Sequence, residues 1–275
     1  MSPRHRTAPF LPFLDGPADF KPKLSPITSS DWLLPDTEAA AWLTEKRLLM
    51  KLQRARVSGG ARDSAAAEEV LEMIMQTTDQ SLKQAMPTAL EEAASLVSDD
   101  LCLLQAEHPH KWQLTAGVLC APTYWTLPER IGMDLSHLHL PVTQGDRTLA
   151  RRIGRVFSGL HPGHILQRFN WTVQTGAERF TPTRPQVLGC GPQDLHLRVE
   201  RQTLRKLPRT GAVLFTIRVC VDPLLPILAH PAQCEAFEDA WLQTAPDVRA
   251  YKAWPELEPL VAEACRTAAR ASIPR

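Results

Sequence analysis

Two histidines separated by one residue stand out as possible metal ligands, in the run His137-Leu138-His139 just before Pro141. In an extended backbone, alternate side chains face the same side of the chain, so both rings would point one way. Such a pair can supply two cis ligands to non-haem iron, copper or zinc, or one of the two can be the axial ligand of a b-type haem. The remaining interpretation is a loop in which both histidines bond to backbone. The pair therefore marks a candidate site and leaves its chemistry open.

Three segments downstream alternate between apolar and polar residues, as strands do, and each carries polar groups on one face. The segments are 165–173, 195–204 and 212–221. The polar groups include Arg168 and Asn170 on the first, Glu200 and Gln202 on the second, and Arg218 on the third. One face of an antiparallel sheet often lies in water, so a solvated face is one interpretation. The other is a polar pocket in which arginines bind carboxylates and Glu200 or Gln202 handles a small polar substrate.

Several common catalytic motifs are missing from the sequence. The run Gly189-Cys190-Gly191 continues with Pro192, so it lacks the third glycine and the helix of a dinucleotide-binding turn. There is no phosphate-binding loop, no His-Glu-x-x-His pair and no Gly-x-Ser-x-Gly turn. No Cys-x-x-Cys pair occurs, which excludes a zinc ribbon and covalent c-type haem attachment.

The composition is that of an ordinary globular protein. The 275 residues include 31 Lys and Arg against 30 Asp and Glu, and this near-neutral balance predicts no nucleic-acid or anionic-membrane partner. No stretch approaches the ~20 apolar residues of a membrane span. The six cysteines lack the spacing of a disulfide framework, which favours buried thiols in a reducing compartment. We therefore expect a cytoplasmic protein.

Periodicity places helices at both ends of the chain and strands between them. We predict helices from Asp36 and at 65–76, 89–97, 146–160, 232–244 and 256–270, and two strands near 101–104 and 112–120 ahead of the three described above. Mostly sequential strands between helical ends indicate an α+β fold with an antiparallel sheet. The expected organisation is a proline-rich arm over 1–30 and one domain over 31–275. That domain comprises a helical part (36–97), a sheet core (about 100–222) and C-terminal helices (223–275).

Several blocks of the sequence resemble the haem-dependent oxidative N-demethylase-like family. The most specific is Glu200-Arg201-Gln202-Thr203-Leu204 followed by Leu207-Pro208. Two others are Leu138-His139-Leu140-Pro141-Val142 and Gln167-Arg168-Phe169-Asn170-Trp171. The blocks run in family order from about residue 30 to 225. The chain departs from the family pattern at Thr143, where a proline is usual.

The resemblance implies a PAS-like fold that holds a b-type haem non-covalently through one histidine. His139 matches the family block and is the expected axial ligand, with His137 as the alternative. The implied protein is the haem subunit of a secondary-amine monooxygenase. Such a subunit uses dioxygen and electrons to convert an N-methyl amine such as dimethylamine into a primary amine and formaldehyde, and the electrons arrive from separate flavin and iron–sulfur subunits.

Roles for the polar strand residues follow from that resemblance. A secondary amine is cationic at neutral pH, and Glu200 is the only acid among the polar strand groups, so Glu200 is expected to bind the amine or handle a proton. Asn170 and Gln202 are expected to orient the substrate or bound oxygen. Three arginines are candidates for haem propionate contacts or for pairing with Glu200: Arg168, Arg201 and Arg218.

Two alternatives belong to other functional classes. One is a PAS-like haem or ligand sensor, or a binding module, whose polar face binds without turnover. The other is a non-haem metalloenzyme built on His137, His139 and Glu200.

Overall fold

The structure is a computed structural model that describes residues 8–34, 37–60, 64–81, 85–108, 111–143 and 147–271, without the side chains of 107, 140–148 and 271. The strands are β1 (Ser25–Ile27), β2 (Ser58–Gly60), β3 (Asp100–His108), β4 (Lys111–Val118), β5 (Ile165–Thr175), β6 (Leu195–Lys206) and β7 (Val213–Pro223). The helices are α1 (Ala39–Leu52), α2 (Arg54–Val57), α3 (Ala65–Thr78), α4 (Ala89–Leu96), α5 (Leu135–Thr143), α6 (Arg147–Gly159), α7 (Leu224–Leu228), α8 (Pro231–Gln243), α9 (Pro246–Tyr251) and α10 (Trp254–Ala271).

The strands form one seven-stranded antiparallel sheet in the order β1-β5-β6-β7-β3-β4-β2. The central pairing of β3 with β7 runs from Asp100 opposite Ile217 to Leu104 opposite Val213. The short strand β1 pairs with β5, and β2 pairs with β4. With helices before and after the sheet along the chain, this arrangement confirms the predicted α+β class.

The predicted strands and most predicted helices are confirmed to within a few residues. Two predicted helix starts, at Asp36 and Asp146, lie outside the described residues, and the helices themselves are described from Ala39 and Arg147. Asp63, which the sequence offers as a cap for the helix predicted from residue 65, also lies outside them, and Ser64 directly precedes α3. No helix in the described ranges is both long and apolar enough to cross a bilayer.

Several short elements were not predicted from the sequence, and helices α7 and α9 are among them. Residues 58–60, expected only to break a helix, also pair with β4 as strand β2. Residues 25–27, within the predicted arm, form strand β1. The run His137-Leu138-His139, considered above as extended backbone or as a loop, lies in helix α5. Strands β1 and β2 were not predicted because three residues are too few to show an alternating pattern.

The chain divides into two compact units. The first contains the described residues of 1–21, 169–200 and 219–275, and the second contains Pro22–Arg168 and Arg201–Arg218. Aromatic residues fill the core of the first unit. Trp241 and Trp254 stack with ring centroids 4.0 Å apart and planes inclined by 11°. Phe13, from the predicted arm, packs edge-on against Phe237 and is 1% exposed, so this part of the arm belongs to the core.

The second unit holds a buried cluster of charges beside its apolar core. The Lys46 ammonium donates to the carbonyls of Val97 and Asp99 and lies 3.6 Å from an oxygen of Asp100. Arg218 donates twice to Asp99, over 2.6 and 3.0 Å. Burial raises the pKa of Asp100, although the nearby Lys46 charge opposes the shift. The Lys46 contacts link helix α1 to the start of strand β3. The Arg218 contacts link strand β7 to the residue just before β3.

Candidate functional site

Helix α5 begins immediately after Asp134, whose side chain caps it. The Asp134 carboxylate accepts the backbone N–H groups of Ser136 and His137 at 2.8 and 3.0 Å. The Asp134 carbonyl accepts the first helical hydrogen bond, from Leu138, at 2.9 Å. Partial burial would raise the pKa of Asp134, but the hydrogen bonds from His137 and Ser136 lower it overall. Asp at this position is a recognised start signal, and it is the feature of the sequence from which α5 was predictable.

In helix α5, His137 and His139 do not share one side of the backbone, as they would in an extended chain. Successive residues of an α-helix are rotated by about 100°, so positions two apart point in nearly opposite directions. The expectation of an extended His-x-His pair is therefore wrong. The His137 side chain is 68% exposed and bonds to Asp134 at 3.0 Å. His139 is partly buried, and its Nδ1 lies 2.7 Å from the Leu135 carbonyl oxygen.

The surroundings of His139 favour the neutral ring with its proton on Nδ1. A carbonyl oxygen only accepts hydrogen bonds, so Nδ1 carries the proton and the lone pair of the neutral ring lies on Nε2. Burial lowers the pKa of His139, and the positive charge of Arg168 lowers it further, against the opposing effect of the Leu135 carbonyl. The ring is therefore neutral at pH 7, and the carbonyl orients it as hydrogen-bond acceptors orient metal-bound histidines in other proteins.

The three arginines proposed as carboxylate contacts differ in what they bind. Arg218 donates to Asp99 and to the Leu34 carbonyl. Arg201 donates to the Gln167 side chain at 2.5 Å and to the Asp31 carbonyl. Arg168 is the one whose charge acts on His139.

The polar face of strand β6 is partly buried. Arg198 has no exposed surface and donates to the Gln174 side chain at 3.1 Å and to the Arg179 carbonyl at 3.2 Å. Glu200 and Gln202, on the same face of β6, are both partly buried. This face of β6 is therefore only partly exposed to water, and Arg198 is its buried member.

In the first unit the structure brings together two of the predicted site residues and adds a third. The Asn170 side-chain nitrogen donates to Glu200 Oε2 at 3.2 Å. Lys252 Nζ donates to the Asn170 oxygen at 2.9 Å, and Lys252 is only 7% exposed. Sequence reasoning missed Lys252, because it lies 82 residues from its partner in a region with no motif.

Other arrangements find less support. Among the residues that the structure describes, no three His, Cys, Asp or Glu side chains come together as a metal site. A pocket of about 390 Å³ in the second unit is lined by Gln105, Trp112, Ser158 and Lys206 among others, and none of the predicted site residues lines it.

A known family matches most of the chain. The family model described as haem-dependent oxidative N-demethylase, alpha subunit-like, matches residues 76–262, which is more than half of the chain. The matched range includes α5 with His139, and it includes the three residues Asn170, Glu200 and Lys252.

Proposed function

Because the chain belongs to the haem-dependent oxidative N-demethylase, alpha subunit-like family, we propose that it is the haem-binding subunit of a monooxygenase that demethylates a small secondary amine such as dimethylamine. The observation that carries the proposal is a partly buried histidine in the matched range, His139, whose Nδ1 bonds to the Leu135 carbonyl. We also propose that the sheet has a PAS-like fold, as the family resemblance implies.

His139 is the proposed axial ligand of a non-covalently bound haem b. Its Nδ1–H is held by the Leu135 carbonyl, which suits the ring to ligation through Nε2. His137 fits less well because it is largely exposed, although its Nδ1 is likewise bonded to an oxygen, that of Asp134. Arg168 is the preferred propionate contact, since its charge acts on His139. Arg201 and Arg218, which also bind protein groups, are secondary candidates.

The chemistry divides between the cofactor and the chain. Haem, when bound, supplies the activation of dioxygen: one oxygen atom enters the N-methyl group, and the other leaves as water with two electrons and two protons. The products are the primary amine and formaldehyde. The Glu200 carboxylate offers the counter-charge that a cationic amine requires and accepts its N–H. Asn170 holds that carboxylate, and Gln202 is proposed to orient the substrate or oxygen.

The electrons are proposed to come from separate flavin and iron–sulfur subunits. The sequence carries no dinucleotide-binding turn, phosphate loop or paired-cysteine cluster motif that would house its own donor. We propose a cytoplasmic location on the strength of the cysteine pattern.

Replacement of the two α5 histidines tests the haem ligand, with one serving as the control for the other. In protein supplied with haem we expect an intense Soret absorption band. His139→Ala should reduce bound haem at least tenfold, because it removes the axial ligand. His137→Ala, two residues away and largely exposed, should retain the haem. A colourless wild-type protein contradicts haem binding, and haem loss in the His137 variant alone would transfer the ligand role to that residue.

A second measurement separates an enzyme from a sensor. The haem-loaded protein, supplied with an electron donor, oxygen and dimethylamine, should release formaldehyde in step with amine consumption. Haem binding without formaldehyde release under these conditions would favour the sensor or binding-module alternative.

A further inference from the structure

Asn170 lies between a cation and an anion, and this fixes the orientation of its amide. A lysine ammonium can only donate hydrogen bonds and an ionised carboxylate can only accept them. Lys252 must therefore donate to Asn170 Oδ1, and Asn170 Nδ2 must donate to Glu200. The structure has both contacts, with Lys252 Nζ 2.9 Å from Oδ1 and Nδ2 3.2 Å from Glu200 Oε2. If the amide were reversed, both contacts would become repulsive.

We propose that Lys252 is a positioning residue that acts through Asn170 on the Glu200 carboxylate. The inference deepens the proposed function and rests on the role of Glu200 as the amine-binding group. Lys252 prevents the Asn170 amide from rotating, and the Asn170 N–H in turn holds Glu200 in one orientation. Without the ammonium, Asn170 loses one of the two contacts that distinguish its two ends, and the carboxylate is held by a less firmly fixed donor.

Neighbouring contacts hold Lys252 beside β5. Lys252 follows the last residue of α9 and donates its backbone N–H to the Val248 carbonyl. Two residues later, Trp254 donates its indole N–H to Thr172 on β5 at 2.9 Å. Trp254 also packs on Trp171, with ring centroids 5.1 Å apart. Because Thr172 and Trp171 directly follow Asn170, the same contacts fix the distance between Lys252 and the amide.

Burial gives a separate reason to assign Lys252 a polar role. Lys252 is 7% exposed, and an ammonium removed from water is unfavourable unless it is paired and hydrogen-bonded. Space-filling alone would be served better by an apolar side chain such as methionine, which avoids the desolvation cost. The ammonium has a role at this position because Asn170 Oδ1 accepts a hydrogen bond from it.

The chain permits an unusually direct test, because Asn170 is its only asparagine. Protein labelled with 15N-asparagine should show a single side-chain amide in its NMR spectrum. Glu200→Gln should shift that signal in the wild-type background, because Nδ2 then donates to a neutral oxygen. In the Lys252→Met background the same Glu200 substitution should have a markedly smaller effect, because the amide is no longer held from both sides. A full response to Glu200→Gln in the Lys252→Met background would overturn the proposal, whether or not the protein binds an amine.

Amine binding provides the functional readout. Calorimetric titration of the haem-loaded protein with dimethylammonium should show about tenfold weaker binding for Lys252→Met. Lys252→Arg should restore most of the affinity, since a guanidinium also donates to Oδ1. Asn170→Ala and the double variant Asn170→Ala/Lys252→Met should bind dimethylammonium with the same reduced affinity. Each substitution interrupts the same series of contacts, so the second adds no further loss.

The matched control is Arg184→Ala. Arg184 donates to the carbonyl of Tyr251 at 2.6 Å, so its loss loosens the same segment without removing the ammonium. We expect this variant to bind dimethylammonium like the wild type, with an unchanged Soret band. Equal weakening in Arg184→Ala and Lys252→Met, or additive losses in the double variant, would refute the positioning role. A wild-type protein that binds no amine would count against the proposed function. The NMR experiment would still test whether Lys252 orients the Asn170 amide.

Discussion

Arg218 illustrates at the residue scale how a polar residue on a strand can serve the fold. Its guanidinium is 5% exposed and donates from Nε and Nη2 to one oxygen of Asp99. The other carboxylate oxygen of Asp99 is buried and has no hydrogen-bond partner among the described residues. Asp99 therefore depends on Arg218 to compensate its charge.

Arg218→Met is expected to destabilise the protein by about 3–5 kcal/mol, because it leaves the buried Asp99 charge without compensation. Urea unfolding followed by circular dichroism measures the change. The double variant Asp99→Asn/Arg218→Met removes both charges and should recover part of the loss. A single-variant loss below about 1 kcal/mol would show that the pair contributes little, and would reopen a cofactor role for Arg218.

At the scale of elements, strand β2 shows why a glycine is required at a sheet edge. Gly60 has φ of +103°, a backbone conformation that side chains disfavour. A Cβ at this position would lie 2.2 Å from the Thr115 carbonyl oxygen and 2.4 Å from Ala116 Cα. Both atoms belong to the backbone of β4, which cannot move without disturbing the sheet.

Gly60→Ala should therefore cost about 3 kcal/mol or more, from backbone strain together with disrupted pairing of β2 with β4. The matched control is Gly163→Ala. Gly163 has a similar φ of +91°, but no atom lies within 4 Å of the position that a Cβ would take, so only strain of about 1 kcal/mol is expected. Unfolding midpoints in urea give both values. Equal losses would mean that the close approach to β4 is not a stability determinant.

At the scale of the whole molecule, the six cysteines report on how the chain is packed. Five are buried, and only Cys190 is partly exposed. Burial, helped by the Asp100 carboxylate, raises the pKa of Cys102 to about 12. Burial also raises the pKa of Cys120. Thiols in this state are neutral and inaccessible at pH 8, so they are unreactive.

A thiol-reactive chromogenic disulfide at pH 8 should therefore label one cysteine rapidly in the native protein and all six in denaturant. Cys190→Ser should abolish the rapid phase without changing the slow one. Rapid reaction of two or more thiols in the native wild type would contradict the packing of the described cores.

Much of the fold was predictable because its signals are local. Alternation along β5, β6 and β7 is set by neighbouring residues, and the helical periods at both ends are likewise visible within one segment. The family is recognisable from short blocks such as the one around Glu200. Helix α5 was missed because the His-x-His pair drew attention to a two-residue period, while the cap at Asp134 indicated a helix.

The sequence by itself thus determined the α+β class, the approximate positions of most elements, the family and the candidate ligand His139. Only the tertiary structure decided which way the two α5 histidines point, that Arg218 compensates Asp99, and that Lys252 reaches Asn170. The physical reason is that these contacts join residues far apart along the chain, 119 positions for Arg218 with Asp99 and 82 for Lys252 with Asn170. Such pairs leave no periodic trace in one sequence, because they form only when the packing of the sheet and helices has brought their backbones together.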